Sequence, residues 1–381
     1  MTIQREPAIA NPVRASGFWS SMKARFSGNN SLVLITLALF LAMYVVAAIV
    51  YRQKNFGSLN SFFDMLNSNP GLIVIAAGMT MVMICGGIDI SVGSQVAMYC
   101  MMFAFFIEHK GVNTYAMIVI VLVTGVVFGF VQGVLVAYFR IQPFIVTLAG
   151  LFFARGMTAV ISPQTITITN KTFQSIAQFK IMFPFGGYTN AAGVYQQPFI
   201  YLSVVLAVIG VLTVYAVMTW TKFGRSVYAV GGSEQSAMLM GLNVKRIKVT
   251  VYTFMGFLTA FGGFLFCLFS TGGAVEKTQG FEMQAIASSV IGGAMLTGGV
   301  GNVLGSFIGV MVQTTITKII NFNGTLANGW SSIVLAAIMG FFIILQSVVT
   351  AVARGQGTGA SLGRRVVDGW GQTVAHLLRR N

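Results

Sequence analysis

Six long, almost uncharged apolar runs leave this 381-residue chain few ways to fold. They occupy residues 31–51, 115–138, 142–161, 199–219, 248–270 and 332–352. Each reaches the roughly 20 residues that an α-helix needs to cross the hydrocarbon of a bilayer. In lipid every backbone N–H and C=O must be paired within the protein, so runs of this length must be helical. Hydrophobic residues make up 56% of the chain and charged residues 8%, against about 25% charged in a soluble globular protein. These values exclude an ordinary soluble enzyme, a disordered chain and a collagen-like fibre. The expected fold class is an all-α polytopic membrane protein.

Two further apolar regions, residues 71–107 and 284–320, are interrupted by glycines. Two full spans and a turn need more than about 40 residues, so each region reads as two shortened helices joined by a bend. That makes about ten membrane segments with two broken Gly-rich helical hairpins. The first bend holds Gly86, Gly87, Asp89, Ser91, Gly93 and Ser94, and the second holds Gly292, Gly293, Gly298 and Gly299. The Gly-Gly pairs occupy similar places in the two halves of the chain, a weak internal repeat of the kind seen in transporters. A break at membrane depth frees backbone groups, which are tolerated only inside protein or against a water-filled cavity. The bends are therefore candidate hinge and translocation positions. Asp89 is the sole acid between Asp64 and Glu108. It reads either as a cap for the following helix, with Ser91 assisting, or as a pathway group, since ionisable residues at membrane depth are costly. Gly125, Gly129 and Gly133, and again Gly301, Gly305 and Gly309, recur at every fourth position and mark close helix packing.

The net charge of +15 does not point to nucleic acid, because the bases lie in short segments between apolar runs rather than on one soluble face. With ten segments, fifteen Lys and Arg fall on the side that holds both tails and six on the other. Positive charge marks the cytoplasmic side, so both termini are expected there. The domains follow: a cytoplasmic tail over 1–30, a transmembrane domain over 31–352, and a second cytoplasmic tail over 353–381. The loop at 162–198 then faces outward. Cys85, Cys100 and Cys267 all lie in apolar stretches and suggest no disulfide framework. His109 and His376 stand apart from other ligating residues, so no metal site is expected.

The cytoplasmic loop at 221–247 is the most informative polar segment. Ser233 is a good N-cap, Glu234 suits the positive start of a helix, and Ala237, Met238, Leu239 and Met240 are helix formers. Gly241 is placed to end the helix. A solvated helix should not carry Met238, Leu239 and Met240 side by side. These adaptable side chains suit either a groove on a partner protein or the membrane surface.

Residues 86–94, 142–150 with Arg155-Gly156, 223–241 and 282–305 resemble the permease subunit of bacterial ATP-binding-cassette (ABC) importers for monosaccharides, of the ribose, xylose, arabinose and galactoside type. Ile90 departs from the Leu usual there. Phe144 to Gly150, Arg155-Gly156 and the run from Asn321 to Leu326 are most similar to a galactofuranose importer permease. The resemblance implies a type II-like ABC permease fold in the bacterial inner membrane, paired with a second permease subunit, identical or related. It implies a cytoplasmic ATPase partner, which binds the ATP and Mg, and a periplasmic sugar-binding protein. It also implies that the segment with Ser233, Glu234, Ala237, Met238, Leu239 and Gly241 is the helix that couples to the ATPase. No cofactor is expected in this chain, which lacks a G-x-x-x-x-G-K-[ST] run, and no catalytic group is expected either. The alternative is an ion-coupled secondary transporter, which would need intramembrane acids, and only Asp89 offers one.

Overall fold

The computed structural model describes residues 30–189, 195–276, 278–324 and 329–353. The tails expected at 1–30 and 353–381 lie outside the described residues except at Asn30 and Ala353, as do Lys277, Thr325 and Leu326. Every apolar run holds a helix, although the run at 199–219 opens on the strand Phe199–Tyr201. In chain order the helices are α1 (Asn30–Val50), α2 (Leu59–Asn67), α3 (Pro70–Ile84), α4 (Val92–Glu108), α5 (Thr114–Ala137), α6 (Pro143–Ile161) and α7 (Lys171–Ala177). They continue as α8 (Leu202–Trp220), α9 (Lys222–Gly232), α10 (Glu234–Leu239), α11 (Val244–Ser270), α12 (Phe281–Ile291), α13 (Val303–Asn323) and α14 (Gly329–Ala353). Six of them, α1, α5, α6, α8, α11 and α13, are long and apolar enough to cross a membrane. A seventh candidate is the pair α2 and α3, bent by 62°. Each of the ten expected segments coincides with a helix, an arrangement compatible with ten spans.

Local chemistry sets the helix limits. Pro70 and Pro143 sit in the first turns of α3 and α6, where their missing N–H costs nothing. Asn113, Asn243 and Asn302 cap α5, α11 and α13 by accepting the N–H of Tyr115, Arg246 and Leu304. The second hairpin departs from the expected pair of shortened helices. Only α12 is short, at 11 residues, whereas α13 runs for 21. The reason is positional: Gly292-Gly293 stops α12 early, while Gly305 and Gly309 keep negative φ within α13, which runs on to Gly324 at a φ of 76°.

The hydrophobic core is centred on α11, which packs against α3, α4 and α5 and is buried over most of its length. Its crossing with α5 is a glycine seam. A methyl group at Gly256 would overlap the Gly125 carbonyl and approach Gly129 Cα to 2.8 Å, and one at Gly133 would come within 2.9 Å of Val249 Cα. Backbones can approach this closely only where side chains are absent. The second seam packs likewise, with Gly305 against Gly292 and Gly309 against Ser288.

The end of the bundle away from α9 and α10 carries three two-stranded antiparallel ribbons. Ile166–Thr167 pairs with Gly272–Gly273, Lys180–Met182 with Phe199–Tyr201, and Tyr188–Thr189 with Tyr195–Gln196. With α7 they give structure to the outward loop expected at 162–198.

Gly256→Val tests the seam. Overpacking a tight contact costs about 1–3 kcal/mol, so this variant should unfold at a lower temperature in detergent than the parent. Gly340→Ala, where an added methyl meets nothing within 4 Å, should not. Equal melting of the two variants would remove the seam's role in stability.

Candidate functional site

The two hairpin bends use their glycines in different ways. In the first, Gly86 takes the left-handed conformation at φ 84°, while Gly87 keeps ordinary φ and faces the Tyr252 hydroxyl, which a methyl group would approach to 2.5 Å. In the second the roles are exchanged. Gly292 makes the close approach, to the backbone of Gly305, and Gly293 takes the left-handed conformation at φ 95°. Gly298 and Gly299 are left-handed as well, at φ 85° and 76°. Each pair thus satisfies one demand for positive φ and one for close packing, in opposite order.

Asp89 is 1% exposed and holds the turn into α4. Its Oδ1 accepts the Ser91 backbone N–H at 2.9 Å and the Ser91 hydroxyl at 2.5 Å. This is the capping arrangement, with one difference from the sequence reading. Ser91 makes no cap bond to α4, because its hydroxyl is taken up by a wider network. Besides donating to Asp89, Ser91 Oγ accepts from Gln95 Nε2 at 2.7 Å and from Gln132 Nε2 of α5 at 2.9 Å. Tyr99 in turn donates to Gln95 Oε1 at 2.9 Å. Asp89 Oδ2, Ser94 Oγ and Gln132 Oε1 are buried without a hydrogen-bond partner among the described residues. Gly93 lies against Glu282, and its carbonyl accepts the Thr278 hydroxyl at 2.8 Å. Sequence reasoning missed Gln95, Tyr99 and Gln132. The spacing of Ser91, Gln95 and Tyr99 puts all three on one helical face and is a legible signal in an otherwise apolar helix.

The expected coupling helix is α10. Ser233 Oγ accepts the Ser236 N–H at 3.2 Å. Gly241, at φ 81°, ends the helix: its N–H reaches the Met238 carbonyl at 3.0 Å and the Leu242 N–H reaches Ala237 at 3.1 Å. That paired bonding is a Schellman motif. Ala237 is fully buried and anchors the helix, while Met238, Leu239 and Met240 are exposed, Leu239 at 90%. Glu234 forms a 2.7 Å ion pair with Lys248 of α11, fastening α10 to the central helix. The preceding α9, not anticipated as a helix, buries Val227 and Val230 and is capped by Thr221.

The coupling segment and both hairpins meet at one junction. The last two residues of α9, Gly231 and Gly232, touch Gly298 and Gly299, and Gly298 touches Gly86. A methyl group on Gly231 would overlap the Ile84 carbonyl. The Gly299 N–H donates to that same carbonyl at 2.8 Å, and Tyr228 of α9 donates to the Gly301 carbonyl at 2.9 Å. Ser233 follows directly, so α10 is one residue from a contact with both bends.

At the opposite end lie two adjoining cavities of about 410 and 150 Å³, which share Asp64, Lys318 and Phe322. The larger is lined by Asn69, Gln284, Gln313 and Thr314 among others. Lys318 pairs with Asp64 at 3.3 Å and donates to the Ser61 carbonyl at 2.6 Å. These residues also went unread in the sequence, although Lys318 inside a long apolar stretch marked the place. Among the described residues no three His, Cys, Asp or Glu gather into a metal site.

A multi-pass membrane bundle with two broken hairpins joined to a protruding helix defines a transport subunit. Residues 61–343 match the family described as "Branched-chain amino acid transport system / permease component", and the chain belongs to that family. It is 35% identical over 320 residues to the inner membrane ABC transporter permease protein YjfF of Escherichia coli, covering 84% of this chain and 93% of that protein. It is 31% identical to the fructose import permease protein FruG of Bifidobacterium longum, over 91% of this chain and 98% of that protein. It is also 31% identical to the ribose import permease protein RbsC of E. coli, over 74% of this chain and 85% of that protein. No solved structure gives a significant match.

The network around Ser91 generates a stability ranking. Ser91→Ala removes three side-chain hydrogen bonds at once and leaves buried partners unpaired, a loss of about 2–3 kcal/mol. Asp89→Asn keeps an Oδ1 acceptor and should cost less. Thermal unfolding in detergent reads both, and a more severe effect from Asp89→Asn would contradict the network as drawn.

Proposed function

We propose that this chain is the permease subunit of an ATP-driven ABC importer that moves a monosaccharide across the bacterial inner membrane by alternating access. Both termini face the cytoplasm in this reading, which the fifteen-to-six distribution of bases supports. The partners are a cytoplasmic ABC ATPase, a second permease subunit and a periplasmic sugar-binding protein. ATP and Mg belong to the ATPase.

One observation carries the mechanism: Gly231 and Gly232, immediately before α10, touch the second bend, and that bend touches the first. In the proposed cycle the ATPase grips the exposed Met238, Leu239 and Met240. Displacement of α10 then shifts Gly231-Gly232 against Gly298-Gly299 and so alters both bends together. No covalent chemistry takes place in this chain.

The substrate class rests on the printed names of the fructose and ribose relatives and on cavity chemistry. A branched-chain amino acid, as in the family's description, would call for an apolar recess. The cavities at the far end present amide, hydroxyl, carboxylate and ammonium groups suited to sugar hydroxyls. Galactofuranose is the first sugar to test, given the likeness of Phe144 to Gly150, Arg155-Gly156 and Asn321 onward. The likeness to the ABC transporter permease protein YjfF favours ATP coupling over the ion-coupled alternative.

Proteoliposomes holding the chain with its ATPase and binding protein give the test. Leu239→Asp, at a side chain exposed among the described residues, should leave folding intact and lower ATP-driven uptake about tenfold or more, because losing a central apolar anchor costs about 2 kcal/mol or more. Gly231→Val should keep the ATPase bound but lose uptake. Full uptake by Leu239→Asp would end the docking role of α10, and full uptake by a folded Gly231→Val would end the role of the junction.

A further inference from the structure

An apolar groove of about 1040 Å³ runs along the outside of the bundle between α5, α8 and α11. Its walls include Val126 and Phe130 of α5 and Val249, Phe254 and Phe257 of α11, and Phe223 of α9 closes it towards the coupling end. Arg246 stands at that end, beside Thr250 and Tyr138. Val126 and Phe130 are exposed, as is Arg246.

Arg246 is awkwardly placed for a lone cation. It lies in the first turn of α11, where the positive end of the helix disfavours a base. It has no ion pair among the described residues, whose two pairs are Lys248–Glu234 and Lys318–Asp64. The neighbouring Lys245 adds a second base, held 5.3 Å over the Tyr138 ring that lines the same groove. The coupling end of the groove thus collects positive charge without a carboxylate to meet it, while the deeper wall is apolar apart from Thr253, whose hydroxyl bonds the Val249 carbonyl of its own helix.

We infer that this groove is a binding site for an anionic phospholipid of the leaflet on the coupling-helix side, with acyl tails between α5, α8 and α11 and the phosphate on Arg246 and Lys245. Guanidinium and ammonium groups make charge-assisted hydrogen bonds to phosphate, and the apolar wall offers the tails a shaped surface. A second copy of the chain is the competing occupant, and charge argues against it. The chain has only eight Asp and Glu. Of those described at the coupling end, Asp89 is buried and Glu234 is paired with Lys248. Another copy therefore brings no free carboxylate from its described residues to face Arg246. The inference is independent of which solute the chain transports.

The test places the full chain in nanodiscs of phosphatidylcholine with about one-third phosphatidylglycerol, releases it into mild detergent and counts retained lipids by native mass spectrometry. The parent protein should retain phosphatidylglycerol over phosphatidylcholine by about tenfold, the ratio expected for about 1.4 kcal/mol. Arg246→Gln should abolish most of that preference without a change in fold, and Thr253→Trp, which fills the groove, should remove the retained lipid. Arg225→Ala, outside the groove, should leave retention as it was. Equal retention of the two lipids by the parent, or an unchanged preference in Arg246→Gln, overturns the inference. So does a disulfide-linked dimer formed by Thr253→Cys, which would assign the groove to a second copy. The native cysteines are buried and do not confuse that reading.

Discussion

A helix broken inside lipid exposes carbonyls and N–H groups that water cannot satisfy, and the architecture of this chain follows from how they are paired. At the first break the Ile84 carbonyl accepts the Gly299 N–H at 2.8 Å, and the Ile88 carbonyl accepts the Tyr252 hydroxyl at 3.2 Å. At the second, the Ile291 carbonyl accepts the Thr36 hydroxyl at 2.5 Å, and the Gly301 carbonyl accepts Tyr228 at 2.9 Å. Each bond pins a different element to a bend: the second hairpin, α11, α1 and α9. Left unpaired, each such group would cost several kcal/mol at membrane depth. The breaks are therefore the points through which the bundle is tied together.

The glycines follow from the same constraint. A bend that must bond to neighbouring backbone needs that backbone within hydrogen-bond range, and side chains would hold it away. This is why Gly231, Gly232, Gly298 and Gly86 collect at one place, although they come from three distant parts of the sequence. The junction places the end of α9 against both bends, and α10 begins one residue later. A helix that protrudes from the bundle is thereby in backbone contact, at one remove, with both bends.

Much of this was legible in the residues alone. Long apolar runs located the helices to within a few residues, because lipid leaves no alternative to the helix. The Ser233 cap and the Gly241 stop framed α10, because both are local chemistry. The Gly-every-four seams announced close packing, though not the partner: Gly125, Gly129 and Gly133 meet α11, a relation set by tertiary contact. For that reason the junction between Gly231 and Gly298 was out of reach, and so was the pairing of Lys318 with Asp64 across more than half the chain. Ser91 was half read. Its place beside Asp89 was visible, but its hydroxyl serves Gln95 and Gln132 rather than the helix start, because α5 delivers Gln132 to it. The second hairpin was read as symmetric with the first. Its helices are unequal because Asn302 opens a long helix in which Gly305 and Gly309 pack closely without breaking it before Gly324.

The two ends of the bundle are built from different materials, and that difference bears on movement. Away from α10, side chains interlock: Lys318 with Asp64 and Ser61, Asn69 with Thr314 at 3.2 Å, and Asn67 with the backbone of Phe199 and Tyr201. Contacts of that kind have defined partners and give up hydrogen bonds when shifted. At the α10 end, the junction is mainly backbone against backbone, with glycines on several sides. The left-handed glycines there accept changes of φ that other residues resist, while the Gly299–Ile84 and Tyr228–Gly301 hydrogen bonds hold the junction closed. Between the two ends sits the network of Asp89, Ser91, Gln95, Tyr99 and Gln132, which joins α4 to α5 through side chains. In the proposed transport cycle, a shift of α10 reaches the glycine junction first and the hydrogen-bonded start of α4 behind it.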